Sequence, residues 1–529
     1  MPNNLKKRES IFFIWIGFII ACLLILKPLF IGIIESAFNQ ESLGYLNNLI
    51  EKHRLKDPEN RTIEFYLLES SRYLNRLAAI GAYFGLMIYL LSKNNFSLVT
   101  SFFALRSHPI NLSVLRIAVY FILVSGSFYS LAITTHALGA ESLIPPFGWG
   151  FLESIPYPNQ TFVYLITGIF FVSNVFSLLG IYTRISIQIS TITGFIVLGI
   201  PQMFGKINHY HILWHIMLMM CFAKNSNYLS IDRLLFKKDF GESDYKEAGI
   251  IVNSALIFIG IAYFFPGLWK FVFSGLEWAL SDNLKYKLHA KWIELDGWKP
   301  FLRIDRYPLI YQSSALITLI FELSFLFAIF SKRLIYIYGI IGLSFHLMVA
   351  LTMKIFFGPV IILYVLFIDW SFLAKKKINI SFNTIKSIFG SRIGRVFSLI
   401  VTINLFAGLL LIDSWPFAVY PTFASMENES ITTLTAEIET TEGSESIVPL
   451  VSFSIFANDF PTVPRFRGFL DGTLVRNDSS NFQKLSSILE KNFSGVNSID
   501  FYQSIVSTNP DEDYQIIDKG SLIYSHQAE

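Results

Sequence analysis

Apolar runs long enough to cross a bilayer alternate with short polar breaks over the first four-fifths of the chain. A membrane helix needs about 20 mostly apolar residues. That window predicts eleven spans, at about 11–33, 77–93, 113–135, 161–181, 185–203, 209–223, 248–268, 310–330, 334–353, 355–373 and 394–412. After Ile412 the pattern changes. Leu434, Ala436 and Ile438 alternate with polar residues, as in a half-buried strand. Glu442-Gly443-Ser444 predicts a turn into a second strand through Val448–Phe456. Phe482, Leu485, Leu489 and Phe493 recur at helical spacing, and Tyr514–Ile517 with Leu522–Tyr524 predict a hairpin around Lys519-Gly520. The predicted fold class is an all-α polytopic membrane bundle of about eleven transmembrane helices with a small C-terminal α+β extramembrane domain. Its parts are a two-span extension (1–106), a membrane domain (107–373), a basic loop with the last span (374–412) and the tail domain (413–529).

Composition agrees with that pattern. Of 529 residues, 53% are hydrophobic and only 15% charged, against about 25% charged in soluble domains. This excludes a water-soluble enzyme, a disordered chain and a coiled coil. A net charge of +3 gives no reason to expect nucleic acid as a partner. Cys22 and Cys221 both fall in apolar runs, so two small core hydrophobes are expected rather than a disulfide framework.

Charge predicts the orientation. The short basic segments are Lys6–Arg8, Lys237–Lys238, Lys332–Arg333, and Lys375–Lys377 with Arg392 and Arg395, whereas 136–160 contains no Lys or Arg. With eleven spans and a cytoplasmic N-terminus, every one of those basic segments falls inside and 136–160 outside. The first span follows Lys6–Arg8 as in a signal peptide, but it is too long for an h-region and no small-residue cleavage site follows it, so it is expected to be an uncleaved anchor. Segment 413–529 holds seventeen acidic and six basic residues. It is therefore an acidic domain on the far side of the membrane. It shows no nucleophile-plus-base pattern and is expected to recruit a protein partner or act as a lid.

Ionisable residues at membrane depth are costly and mark candidate sites. The richest cluster is Lys206, Asn208, His209, His211 and His215, at the outer end of the sixth span. His211 and His215 lie four apart on one helical face, joined by Asn208. Three readings stay open. The two histidines could ligate a metal, with His346 or Glu322 as third ligand. The cluster could line a substrate pocket, with neutral imidazoles exchanging protons and a desolvated lysine acting as base. Or the polar groups could only bond neighbouring helices while Lys206 snorkels. Glu322 and His346 sit mid-span, are expected to face the protein interior, and could pair with each other. Arg116 is expected to snorkel at the inner end of the third span. Pro266-Gly267 breaks the seventh, followed by Trp269, Lys270 and Trp278, where interfacial anchoring and substrate contact carry equal weight.

Several of these elements occur together in one known family. Leu115-Arg116-Ile117, the turn Leu179-Gly180-Ile181-Tyr182-Thr183-Arg184-Ile185-Ser186, and Asn208-His209 followed by Tyr228-Leu229-Ser230-Ile231-Asp232 come first. Tyr263-Phe264 through Gly267, Lys270 and Trp278, then Phe345-His346, follow in order. Residues from about 107 to 372 thus resemble the HTTM domain, the membrane region shared with vitamin K-dependent gamma-carboxylase. The resemblance implies a membrane bundle with its reaction site near the outer face, oxidation of a quinol, and a lysine base six residues before the Asn-His histidine. That position here is Met203, and Lys206 lies three away. The tail is too short to resemble the family's large glutamate-substrate region, which argues against protein carboxylation. Trp415-Pro416-Phe417 with Tyr420-Pro421 resembles the start of tails on bacterial proteins of this kind, implying an inner membrane.

Two functions are consistent with the sequence. One is an enzyme acting on a lipid-soluble, quinone-like substrate at the outer leaflet, with Lys206 and His209 catalytic. Asn208, His211, His215, Trp269, Lys270, Trp278, Glu322 and His346 would then be substrate-binding. The other is a non-catalytic membrane protein whose acidic tail recruits a partner. Membrane lipid is a partner in both.

Overall fold

The computed structural model describes all residues except 1, 42–43, 55–61, 94–101, 103–106, 206, 224–227, 237–239, 296–297, 375–390, 419–422, 461–462, 477–478, 513 and 529. Lys206, Lys237–Lys238, Lys375–Lys377 and Tyr420-Pro421 therefore lie outside the described residues. Among those described, eight helices are long and apolar enough to cross a membrane, and nine if the bent pair Pro109–Ser125 and Phe128–His136 counts as one. The chain is thus mostly helical with a multi-pass membrane body. It divides into two compact units: Met1–Gly275 with Ile320–Ser344 and Phe357–Ala424, and Leu276–Leu319 with Phe345–Phe356 and Ser425–Glu529.

In the first unit, the 33-residue helix Glu242–Ser274 is the central post, its apolar stretch almost wholly buried. Glycines let neighbours close on it. A side chain at Gly260 would meet Leu326, and one at Gly267 would meet Glu322 at 2.7 Å. From the other side, Gly408 of the helix Arg392–Leu409 admits Phe265, and its carbonyl accepts from Trp269 Nε1 at 2.8 Å. The first helix, Pro2–Phe38, runs along Ile63–Lys93, where Trp15 Nε1 donates to the Gly81 carbonyl at 3.0 Å. Its other faces leave Phe13, Leu24, Ile25 and Leu29 exposed, as lipid contact requires. Cys22 and Cys221 are free and half-buried.

The two shortest predicted spans differ most from expectation. The sixth contains only an 11-residue helix, His211–Cys221, about 16 Å long. The tenth is the four-residue helix Gly358–Ile361 running into a 3-10 turn, Ile362–Phe367. Each nevertheless joins opposite ends of the bundle. At the end where helix Gln160–Leu179 begins, Met203 and Gly205 bond to Ile144 at 2.9 and 3.1 Å. At the end where that helix stops, Asp232 N donates to the Gly180 carbonyl at 3.0 Å. Likewise Phe357 meets His209 at one end, with ring centroids 5.2 Å apart. At the other, Asp369 and Trp370 bond Asn111 at 2.9 and 2.7 Å. Irregular backbone is tolerated at membrane depth when protein surrounds it.

The second unit contains a four-stranded antiparallel sheet ordered β2-β1-β3-β4. The strands are β1 (Ser430–Thr440), β2 (Gly443–Ile447), β3 (Val496–Ser507) and β4 (Ile516–Gln527). Leu434, Ala436 and Ile438 face a core with Ile499 and Phe501 of β3. Phe466 and Leu470 of helix Val463–Arg476, and Phe482, Leu485 and Leu489 of helix Ser479–Asn492, complete it. Two expectations need correction. The second strand is Gly443–Ile447, and Val448–Phe456 instead forms turns with a short 3-10 segment. Lys519-Gly520 is not a hairpin turn, because β4 continues through it. The pairing register slips there, and Gly520 at φ +57° packs on the Gln503 carbonyl, which marks a bulge.

Candidate functional site

The segment after Met203 is pinned from below by a residue the sequence did not single out. Gln202 is fully buried, donates to the Leu198 carbonyl at 2.9 Å and accepts from the Asn208 amide at 2.5 Å. This holds Asn208, His209 and Tyr210 half-buried at the entrance to helix His211–Cys221. Tyr210 packs on Phe128, with centroids 4.8 Å apart.

His211 and His215 are both buried, their rings perpendicular with centroids 5.4 Å apart. His215 lies among Phe258, Phe417 and Trp214, at 5.5, 5.3 and 5.9 Å. The ring donates to the Pro416 carbonyl, while among the described residues Nε2, which is buried, has no hydrogen-bond partner. Among the described residues, no group of three His, Cys, Asp or Glu side chains is placed to hold a metal.

Glu322 is buried as expected, but its partner is Lys270, not a histidine. Lys270 Nζ reaches the two carboxylate oxygens at 2.5 and 2.7 Å, and both residues are 4% exposed. The ion pair answers the cost of burying either charge alone and removes Glu322 as a free third ligand. Two turns along the same face, Tyr263 shares a 2.5 Å hydrogen bond with Tyr364. His346 is buried too, in the second unit. Trp269 and Trp278 are buried rather than interfacial, at 9% and 3% exposure, which corrects the anchor reading.

Three pieces that carried the family resemblance meet in one clasp. Arg116 is fully buried and donates to the carbonyls of Ser177, Leu178 and Leu229. It does not snorkel; it ties three chain segments. Asp232 accepts from the amides of Tyr182 and Thr183 at 2.9 and 2.7 Å and from the Thr183 hydroxyl at 2.7 Å. Gly180, at φ +71°, leaves room for Ser230 and Arg116. These residues have a structural task at the end of the unit opposite Asn208 and His209.

A cavity of about 190 Å³ opens beside Met203 and Phe204, walled by Trp149, Leu152, Tyr157, Phe195, Ile200 and Trp415 among others. None of the described candidate residues lines it. The expected chamber bordered by Asn208 and His209, with a tryptophan at its mouth, is therefore not this one.

An ionic cluster in the second unit was missed altogether. Buried His289 bonds Asp305 at 3.1 Å, and Arg303 grips Asp305 at 2.8 and 2.9 Å and Asp511 at 2.9 Å. Arg306 reaches Asp511 at 3.1 Å. Burial alone would raise the Asp305 carboxyl, but the bonds and charges of His289 and Arg303 outweigh it and hold it well below the usual range. The Arg303 and Arg306 guanidiniums likewise lower Asp511. No local motif signals partners over two hundred positions apart.

Compared with known proteins, the chain matches no family profile, no curated protein and no solved structure.

Proposed function

We propose that this chain is an integral membrane enzyme of the HTTM-like, gamma-carboxylase-like class that acts on a lipid-soluble, quinone-like substrate entering from the outer leaflet of a bacterial inner membrane. The observation that carries the reading is the His215 imidazole. Among the described residues Nε2 has no partner; a buried acceptor in that state costs roughly 1–3 kcal/mol, a loss that a hydroxyl-bearing ligand would recover. Pro416 bonds the ring and steadies it. Nε2 would then accept the proton of a quinol hydroxyl, while His209 and Asn208 orient the ring and His211 packs beside it. Lys206 remains the candidate base. Lys270 and Glu322 act at a remove, by fixing the packing of the central helix. The end-to-end passage of the sixth and tenth segments supports eleven crossings, with the N-terminus cytoplasmic and the tail opposite. Proteoliposomes supplied with a short-chain quinol and with dioxygen as the two-electron acceptor test this reading. His215→Phe should abolish consumption that wild type supports, and consumption unchanged by that substitution would overturn it.

A second reading is favoured by the hydrophobic core that the tail forms together with Ile293. There the protein is non-catalytic and the acidic domain recruits a partner. Deleting 413–529 would then give the phenotype, and Lys206→Ala and His215→Phe would be silent.

A further inference from the structure

The cavity beside Met203 has a chemical preference that its wall states clearly. Among the described residues, four polar side chains line it, and each is already bonded to the protein backbone. Trp149 Nε1 donates to the Trp415 carbonyl at 2.8 Å, and Trp415 Nε1 to the Phe195 carbonyl at 3.1 Å. Tyr157 OH donates to the His136 carbonyl at 2.6 Å, and His136 Nε2 meets the Pro158 carbonyl at 2.9 Å. The remaining wall is aliphatic, aromatic or proline. A quinone ring placed here would bury two carbonyl oxygens against groups with no such donor to spare, which is unfavourable. A hydrocarbon chain loses nothing.

The loop that roofs the cavity points to the source of the chain. Residues 137–159 are fixed by the Ile144–Phe204 bridge and by Ser414 Oγ donating to the Phe147 carbonyl at 2.7 Å. Gly199 helps to form the wall, since a side chain there would meet Trp415 Nε1 at 2.8 Å. With its inner face so held, the loop turns large apolar groups outward. Phe147 is 76% exposed and Phe151 56%, with Ile144 and Ile155 exposed beside them. No Lys or Arg occurs between 136 and 160. Such a surface is unfavourable in water and suits the apolar part of a leaflet. The cavity is also slightly larger than the roughly 150 Å³ apolar cavity that takes up benzene. Left empty, its wall forfeits dispersion contacts.

We infer that this cavity is a binding site for a single hydrocarbon tail of a bilayer lipid, entered from the leaflet under the 137–159 loop. The inference goes beyond the proposed chemistry at His215 and does not depend on it. The tail has two sources, the acyl chain of a phospholipid or the prenyl chain of a lipoquinone.

Photo-crosslinking of the full chain in nanodiscs tests it, with three probes: a phospholipid carrying a diazirine in its acyl chain, a prenyl quinone tagged in its tail, and one tagged on its ring. At least one tail probe should label the peptides holding Leu152 and Ile200 several-fold above the exposed face of Gln160–Leu179, and the stronger one names the source. Leu152→Trp should remove that labelling while the helix surface labels as before. If Leu152→Trp fails to fold, Ile200→Phe serves the same purpose. Tail labelling no greater than that of the helix surface, tail labelling that survives both substitutions, or ring-tag labelling of the cavity wall would each overturn the inference.

Discussion

Lys270 and Glu322 form a buried ion pair between the central helix and Pro308–Ala328, with the ammonium bridging both carboxylate oxygens at 2.5 and 2.7 Å. Gly267, one turn before Lys270, supplies the space in which the Glu322 side chain lies.

Removing one partner leaves the other charge buried and unpaired. Lys270→Met or Glu322→Leu alone should each cost about 3–5 kcal/mol, whereas the double substitution should recover most of the loss. A double-mutant cycle of unfolding in detergent reads this directly. Additive costs would mean that the two groups do not interact.

The clasp around Gly180 predicts a second asymmetry. Gly180→Ala places a side chain in the left-handed region and drives it against Ser230 and Arg116. It should cost more than the roughly 1 kcal/mol typical of a left-handed alanine. Gly168→Ala, within the helix Gln160–Leu179, where the added carbon would meet nothing within 4 Å and the backbone is ordinary, should cost less. Thermal melting of the two variants side by side checks the order.

Acid should loosen the second unit through Asp305. Its carboxyl is held below the unfolded value of about 3.9. The stabilisation is therefore complete above that value and is lost as pH falls through it toward the folded pKa. Protection factors for amide exchange in 283–306, each referred to the intrinsic exchange rate at its own pH and followed in the full chain from pH 6 to pH 3, should fall at the acid end. Asp305→Asn should show low protection already at pH 6 and a flatter profile.

Reporter fusions test the proposed orientation. Those after Lys238 and after Lys377 should report cytoplasm, and a C-terminal fusion the opposite side. A cytoplasmic C-terminus would mean that one of the two short segments turns back.

Much of the membrane body was legible because a bilayer demands long apolar runs, and the long helices fall where those runs are. The sixth and tenth segments were read as full helices because hydropathy reports burial, not hydrogen-bond geometry. The burial of Glu322 and His346 was legible from the cost of exposing charge to lipid. The Lys270 partner was not, since nothing local links positions 52 apart. In the tail, alternation revealed β1, but Gly520 read as a turn because a bulge glycine and a turn glycine look alike without register. Gln202 and the His289–Asp305–Arg303–Asp511 cluster left no pattern at all.

Cross-linking of the ring-tagged quinone to the full chain in nanodiscs tests most directly whether a quinone-like ring sits at His215, as proposed. Label is expected on peptides within 207–221, lost in His215→Phe while the exposed face of Gln160–Leu179 labels as before. Label on 207–221 no stronger than on that helix face, or equal in wild type and His215→Phe, would contradict it.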